Sequence, residues 1–323
     1  MPQPLVSIVT PVYNEERFLE ECIESVLAQS YDNWDYTIVD NCSSDASLEI
    51  ASRYAAIDRR INVVRNQRFL QALPNCNEAV RQISPASKYC KIVFGDDWMF
   101  PECLERMVDV AERYPSVSIV SAYALEGQQV TLTGLPYQTE LIPGREACRK
   151  HFLDRLYIFG TQSSVLYRAD LVRSRDPLFD ESNVYADTAV CFDLLRAADL
   201  GFVHQVLTFT RVRPGSLYAN QVSMGTSWAA RLRLLITYGP TFLTQSELQT
   251  ALSQHLHQYY RFLGKSLMLR HEKTFWDYHK QQLTLAGVGY SKARTAKGMV
   301  ATIADAALNP KNTFERLMKR GDV

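Results

Sequence analysis

LVSIVTPVYNEERFLEECIESVLAQSYDNWDYTIVDNCSSD, residues 5–45, sets the reading of the whole chain. LVSIVT is a short β-branched run, the mark of a buried strand. Beyond PVYNEE, the residues Phe18, Leu19, Cys22, Ile23, Val26 and Leu27 recur at helical spacing and give one apolar face. Asn14 offers an N-cap for that helix. WDYTIVD (34–40) reads as a second strand, NCSSD as a loop, and 46–54 as a second helix. The alternation continues with a strand at 61–64, a helix near 77–83, a strand ending at Phe94, and a helix opened by Pro101. A strand at 117–126 and a helix at 144–156 follow. Strands and helices in turn predict an α/β fold with a mainly parallel central sheet flanked by helices. In such sheets ligands bind beyond the carboxyl ends of the strands.

Three polar clusters fall just past three of these strands: Tyr13-Asn14-Glu15, Asp40-Asn41 and Asp96-Asp97. They are expected to meet at one edge of the sheet. The last sits in KIVFGDDWMFP (91–101). Adjacent carboxylates repel and lose hydration when covered, and a cation relieves both costs. Carboxylate oxygens suit Mg²⁺ or Mn²⁺, which also hold substrate phosphates. A helix cap is the plainer use of Asp97, with Asp96 left in solvent. No glycine-rich phosphate loop occurs, so phosphates would be held through a metal.

The chain has 323 residues, 46% of them hydrophobic and 22% charged, enough for a large core. Net charge is zero, but 225–323 carries +8 and the remainder −8. An acidic front suits a metal-dependent site and argues against nucleic-acid binding. The seven cysteines are odd in number and form no C-x-x-C pair, so they read as reduced core thiols in a cytosolic protein. His255 and His257, two apart, point to different sides of a helix, and no zinc-type cluster is evident. No run is long enough to span a membrane, and the N-terminus lacks a signal-peptide pattern.

With these residues in place, the N-terminal half resembles the family 2 glycosyltransferases of the GT-A fold. The resemblance runs from Val6 to Ser216 and rests on the 11–45 stretch, with its Gln-Ser-Tyr spacer, and on GDDWMFPECLERM (95–107). It implies an inverting transfer of a sugar from a nucleotide-diphosphate sugar, with UDP the expected carrier, to a hydroxyl of a glycan or lipid-linked glycan. By the same resemblance Pro11, Tyr13 and Glu15 line the nucleoside pocket and Asp40 bonds the base. A plainer use of Asp40 is to cap a turn. Asp96 faces the ribose or diphosphate, and Asp97 holds Mn²⁺ or Mg²⁺. Arg68 is expected near the nucleotide. Asn75 and Asn77 match family asparagines but serve equally as caps or turns.

GTQSSVLYR (160–168) resembles the strand bordering the acceptor site. Asp187 matches the family's catalytic carboxylate at the start of a helix, with Asp193 in reserve. Such a carboxylate takes the acceptor hydroxyl's proton during attack. Phe94, Ala186 and Arg213 depart from the family pattern: Phe94 stands for an acid, Ala186 for the Glu of a Glu-Asp pair, and Arg213 for a histidine. Arg213 still suits a diphosphate but not a metal. A nucleotidyltransferase and a non-catalytic nucleotide-sugar binder remain as alternative functions.

The domains are expected at 1–225, the transferase, and 226–323, a helical extension. Within the latter, Thr244-x-x-Glu247 is a capping box, and helices are expected to stop near Gly239-Pro240 and to run near 275–285 and 293–308. Basic residues there (Lys292, Arg294, Lys297, Lys311, Arg316, Lys319, Arg320) mix with Met299, Val300, Ile303, Phe314 and Leu317. A helical subdomain face is the plain use of that pattern. A peripheral contact at the inner face of the membrane, and a homodimer surface, are two others.

Overall fold

The computed structural model describes residues 3–183, 185–213, 217–269 and 271–308. Two compact units result, 1–214 and 215–323. The basic positions expected at 311–320 and the Pro-Gly turn after Arg213 lie outside the described residues.

The first unit runs β1 (Val6–Val12), α1 (Leu19–Leu27), β2 (Trp34–Asp40), α2 (Ser47–Ile57), β3 (Ile61–Arg65), α3 (Ala72–Val80), β4 (Tyr89–Ile92), β5 (Trp98–Met99) and α4 (Cys103–Arg113). Then come β6 (Val117–Glu126), β7 (Gln129–Thr131), β8 (Leu141–Ile142), α5 (Gly144–Leu153), β9 (Leu166–Arg168), α6 (Ala169–Arg173), α7 (Ala186–Leu194) and β10 (Asp199–Thr210). One sheet holds them in the order β3-β2-β1-β4-β9-β6-β10-β5, with β7 on β6 and β8 on β10. β3, β2, β1 and β4 are mutually parallel. β9 is antiparallel to both β4 and β6, so β6 and its parallel partner β10 point the same way as β1. Six strand ends therefore open on a single edge.

β1 lies between β2 and β4 and every residue in it is buried, which is why its sequence is mostly apolar, with only Ser7 and Thr10 polar, rather than strictly alternating. Pro11 falls past the last β1–β4 pair, Val9 with Ile92, where no ladder bond is lost for want of an N–H. Leu19, Cys22, Ile23 and Val26 of α1, and Leu104, Met107 and Val108 of α4, pack on the strands with Ile8, Tyr36 and Val93. The seven cysteines are free, and all but Cys42 are buried.

Some local expectations change. Asn14 does not cap α1, whose N-cap is Phe18. Asn14 instead takes a left-handed φ of 54°, tolerated by Asn, and its side-chain oxygen accepts the Ser44 N–H at 2.8 Å. β4 stops at Ile92, and the loop beyond it carries the short β5, a strand too brief to show a period. α4 starts two residues after Pro101, at Cys103. Asp97 lies five residues before its N-cap, Glu102.

The second unit is helical: α8 (Leu217–Met224), α9 (Thr226–Phe242), α10 (Gln245–Met268), α11 (Lys273–Leu285) and α12 (Lys292–Leu308). α9 continues through Gly239-Pro240 to Phe242, because a proline so near the end forfeits a single ladder bond. The capping box forms: Glu247 N–H donates to Thr244 Oγ1 at 3.3 Å, and Thr244 N–H to Glu247 Oε2 at 2.9 Å. Ala229, Leu232, Tyr259, Leu263, Phe275 and Leu283 form the core. His255 is buried and bonds the Trp228 carbonyl, whereas His257 is exposed. Buried His279 bonds the Tyr259 hydroxyl and the Met224 carbonyl, and burial pulls it down to about 4, so these rings act structurally.

Candidate active site

Parallel neighbours bring the polar clusters together. Val12 pairs with Asp40 at the ends of β1 and β2, and the loops beyond are tied across: Asn14 N–H to Ser43 Oγ at 3.0 Å, Glu15 N–H to Ser47 Oγ at 2.8 Å. The loop after β4 meets the loop after β1 at Gly95. A Cβ placed there would lie 3.3 Å from Glu15 Cγ. From the other side, β10 delivers Arg211 and Arg213. Arg211 N–H donates to Asp97 Oδ1 at 3.0 Å, and Arg211 Nε–H to the Asp96 carbonyl at 3.1 Å. The Arg213 guanidinium bridges Glu15 and Asp96, with Nε 3.0 Å from Asp96 Oδ2.

The two aspartates are unlike. Asp97 is almost wholly buried, at 3% exposed, and the Ser163 hydroxyl also bonds its carboxylate. Burial, followed by the charge of Asp96, pushes Asp97 up to about 7. Asp96 keeps its side chain 20% exposed beside Arg213. Glu15 is raised by burial and then by Asp96, with Arg213 opposing. An acidic set this strained fits a divalent ion. Among the described residues no three His, Cys, Asp or Glu side chains gather closely enough to hold one. The fit is therefore to an ion held by one or two carboxylates and completed by substrate phosphates, a common arrangement for Mg²⁺.

Asp40 is 1% exposed. Its carboxylate accepts the Ser43 N–H at 3.2 Å and meets Arg65 Nε at 3.4 Å, so the turn-capping use is realised. Arg68 stands exposed on the loop after β3. Beside it Phe69 contacts Tyr13, ring centroids 4.7 Å apart, and both rings are nearly half exposed (48% and 45%). Asn75 and Asn77 are structural anchors. Asn75 Oδ1 accepts from Asn66, which also reaches Asn41, and Asn41 holds Leu70 by both main-chain groups. Asn77 holds Phe179 in the same two-way manner and so ties α3 to the segment leading into α7.

Asp187 lies in the first turn of α7, half-buried, its Oδ1 accepting the Thr188 N–H at 2.7 Å. Burial pushes it up to about 6, and its charge is felt by Cys76 of α3 and by Tyr157. Asp193 pairs with Arg175 and Arg196 instead.

Arg211, Ser163 and Lys91 were not singled out from the sequence. Arg211 acts through its main-chain N–H, and a main-chain donor has no sequence signature. Lys91 in an apolar strand was the readable signal. It is fully buried, and its ammonium donates to the carbonyls of Ser163 and Val165 at 2.7 and 3.3 Å.

Residues 7–175 match the family described as Glycosyl transferase family 2. The chain belongs to that family. Among curated members it is 32% identical over 129 residues to the putative teichuronic acid biosynthesis glycosyltransferase TuaG of Bacillus subtilis, covering 40% of this chain and 50% of TuaG. The chain spans half or less of the length of the first curated relatives it matches. Solved structures of low identity share the fold. S. aureus TarS 1-349 in complex with UDP-GlcNAc has a TM-score of 0.64 at 15% identity, over 87% of this chain and 80% of that one. The mannosyltransferase PcManGT from Pyrobaculum calidifontis, in complex with GDP-Man and Mn²⁺, has a TM-score of 0.55 at 15% identity, over 95% and 87%. The fold is thus that of the GT-A glycosyltransferases, with a helical C-terminal region.

Proposed function

We propose that this family 2 member is an inverting glycosyltransferase that moves a sugar from a UDP-sugar to a hydroxyl of a glycan or lipid-linked glycan. One observation carries the reading. Glu15, Asp96 and Asp97 converge at the carboxyl edge of the sheet, while Asp187, a carboxyl raised to about 6, opens α7. The UDP-GlcNAc complex of TarS and the GDP-Man and Mn²⁺ complex of PcManGT lend support by analogy of fold.

In this reading the exposed faces of Tyr13 and Phe69 receive the base, with Pro11 and Asp40 beneath and Arg68 nearby. Asp97 and Asp96 would hold Mn²⁺ or Mg²⁺ together with the diphosphate. That ion supplies positive charge against the charge building on the departing nucleoside diphosphate. Arg213 turns from the carboxylates toward the same diphosphate. Asp187 accepts the proton of the attacking hydroxyl, and a single base opposite the leaving group gives inversion. The functional division is 1–225 for transfer and 226–323 for an extension that makes the peripheral membrane contact at the inner face.

Titration calorimetry of UDP with and without Mn²⁺, beside an assay of slow UDP-sugar hydrolysis, tests the proposal. Metal-dependent UDP binding with slow release of the sugar is expected. Absence of UDP binding under both conditions would overturn it, and release of pyrophosphate from nucleoside triphosphates would point to a nucleotidyltransferase.

A further inference from the structure

α12 is packed inside out. Its inward side carries Thr295, which is buried, together with Gly298, Met299 and Thr302. The Thr295 and Thr302 hydroxyls bond carbonyls one turn back, at Ser291 and Gly298, so they need no other partner. Glycine allows the close approach to α10. A Cβ on Gly298 would lie 2.2 Å from the Tyr260 carbonyl oxygen, and one on Gly264 2.2 Å from the Met299 nitrogen. The apolar side chains face solvent instead. Ala293, Ala296, Val300, Ile303 and Ala307, spaced three and four apart, are all exposed, with Ala304 and Leu308 widening the stripe. Val300 is 62% exposed, Ile303 51% and Leu308 78%, far from the pattern of a core helix. Lys292 and Lys297 flank the stripe and are exposed.

A second copy of the chain is a poor cover for this face. The helix has 17 residues, so it is about 25 Å long and about 10 Å across. Two such faces hide roughly 500 Å² in total, well below the roughly 1,200 Å² at which stable interfaces begin. They would also bring together two units of charge +8. An anionic bilayer has no area limit and the opposite charge.

We infer that the outward face of α12 lies in the interface of an anionic membrane, with Val300, Ile303 and Leu308 among the acyl chains and Lys292 and Lys297 at the phosphates. The inference rests on the reading of the C-terminal helices as the membrane contact, and on no step of the transfer chemistry. Four more basic residues, Lys311, Arg316, Lys319 and Arg320, follow α12 in the sequence against two acidic ones, Glu315 and Asp322, so the stretch adds to the attraction.

Co-sedimentation of the full chain with phosphatidylglycerol and phosphatidylcholine vesicles tests it. The wild-type chain should pellet with the former alone, less so in high salt. Val300→Glu/Ile303→Glu should need about tenfold more phosphatidylglycerol for half-binding, as should Lys292→Glu/Lys297→Glu. Both positions of each pair are exposed, so circular dichroism and UDP binding should stay unchanged. Unchanged UDP binding also keeps a failure here apart from a failure of the proposed function. A chain ending at Leu308 should still pellet in a Val300- and Ile303-dependent way. Three results would overturn the inference: no wild-type binding to phosphatidylglycerol, equal binding by the Val300/Ile303 variant, or a lipid-free dimer that this variant abolishes.

Discussion

Lys91 Nζ lies 2.7 Å from the Ser163 carbonyl oxygen in the centre of the sheet, with none of the lysine exposed. Burial pulls the ammonium down from its usual range, yet no carboxylate is among its hydrogen-bond partners. Ser163 in turn accepts the Phe94 N–H at 3.1 Å and bonds the Asp97 carboxylate. A charge placed in a core strand thus sets the segment that orients Asp97, in the loop that follows the same strand.

Lys91→Met should keep the fold, since an apolar chain of similar volume fills the space, at a cost of about 1–3 kcal/mol for carbonyls left unpaired. It should also weaken UDP–Mn²⁺ binding, by about tenfold. Calorimetry beside thermal unfolding checks this. A lower melting temperature with unchanged binding would confine Lys91 to a packing role.

Asp97→Ala should abolish binding of both metal and diphosphate, whereas Asp96→Ala should also release Arg213 from its 3.0 Å ion pair. Unchanged binding of UDP with Mn²⁺ by the Asp97 variant would remove that residue from its role.

Arg213 holds a permanent positive charge between Glu15 and Asp96. A divalent ion held as proposed would compete with it for the same oxygens. Arg213→His should raise Mn²⁺ affinity about tenfold and weaken UDP binding in chelator. Equal metal dependence in the two proteins would dismiss the competition.

Asp187→Asn should lower transfer by about 10²–10⁴-fold. In the wild type the rate should fall as pH drops through about 6, where Asp187 takes up a proton. Its stability effect has a defined sign. The carboxyl is raised from 3.8 in the unfolded chain to about 6 in the fold, so the folded state loses stability as pH rises through that window. Asp187→Asn should therefore melt higher than wild type at about pH 8 and show no such gain near pH 4. Pairwise melting curves at both pH values read this directly.

Gly264→Ala should destabilise the helical unit by about 1–3 kcal/mol, as the added methyl overlaps the α12 backbone. Circular dichroism melts against wild type measure it.

The order of elements was legible because each announces itself locally. WDYTIVD is β2 residue for residue, VSIVSAYALE is β6, and Thr244 with Glu247 forms the expected box. The acidic clusters were legible too, since a parallel sheet must bring its strand ends to one edge. Asn14 was misread because its partner, Ser44, is thirty residues away, and a cap predicted from neighbours cannot see it.

From sequence alone came the alternation of strand and helix, the acidic edge and the basic helical end, since period, propensity and charge are properties of neighbouring residues. Tertiary structure alone decided that β10 returns beside β6 to lay Arg211 against Asp97, that Lys91 reaches Ser163, and that α12 turns its apolar side outward. Such pairings join residues as far as 114 positions apart, and their geometry is fixed by which strands adjoin and which helix surfaces can approach.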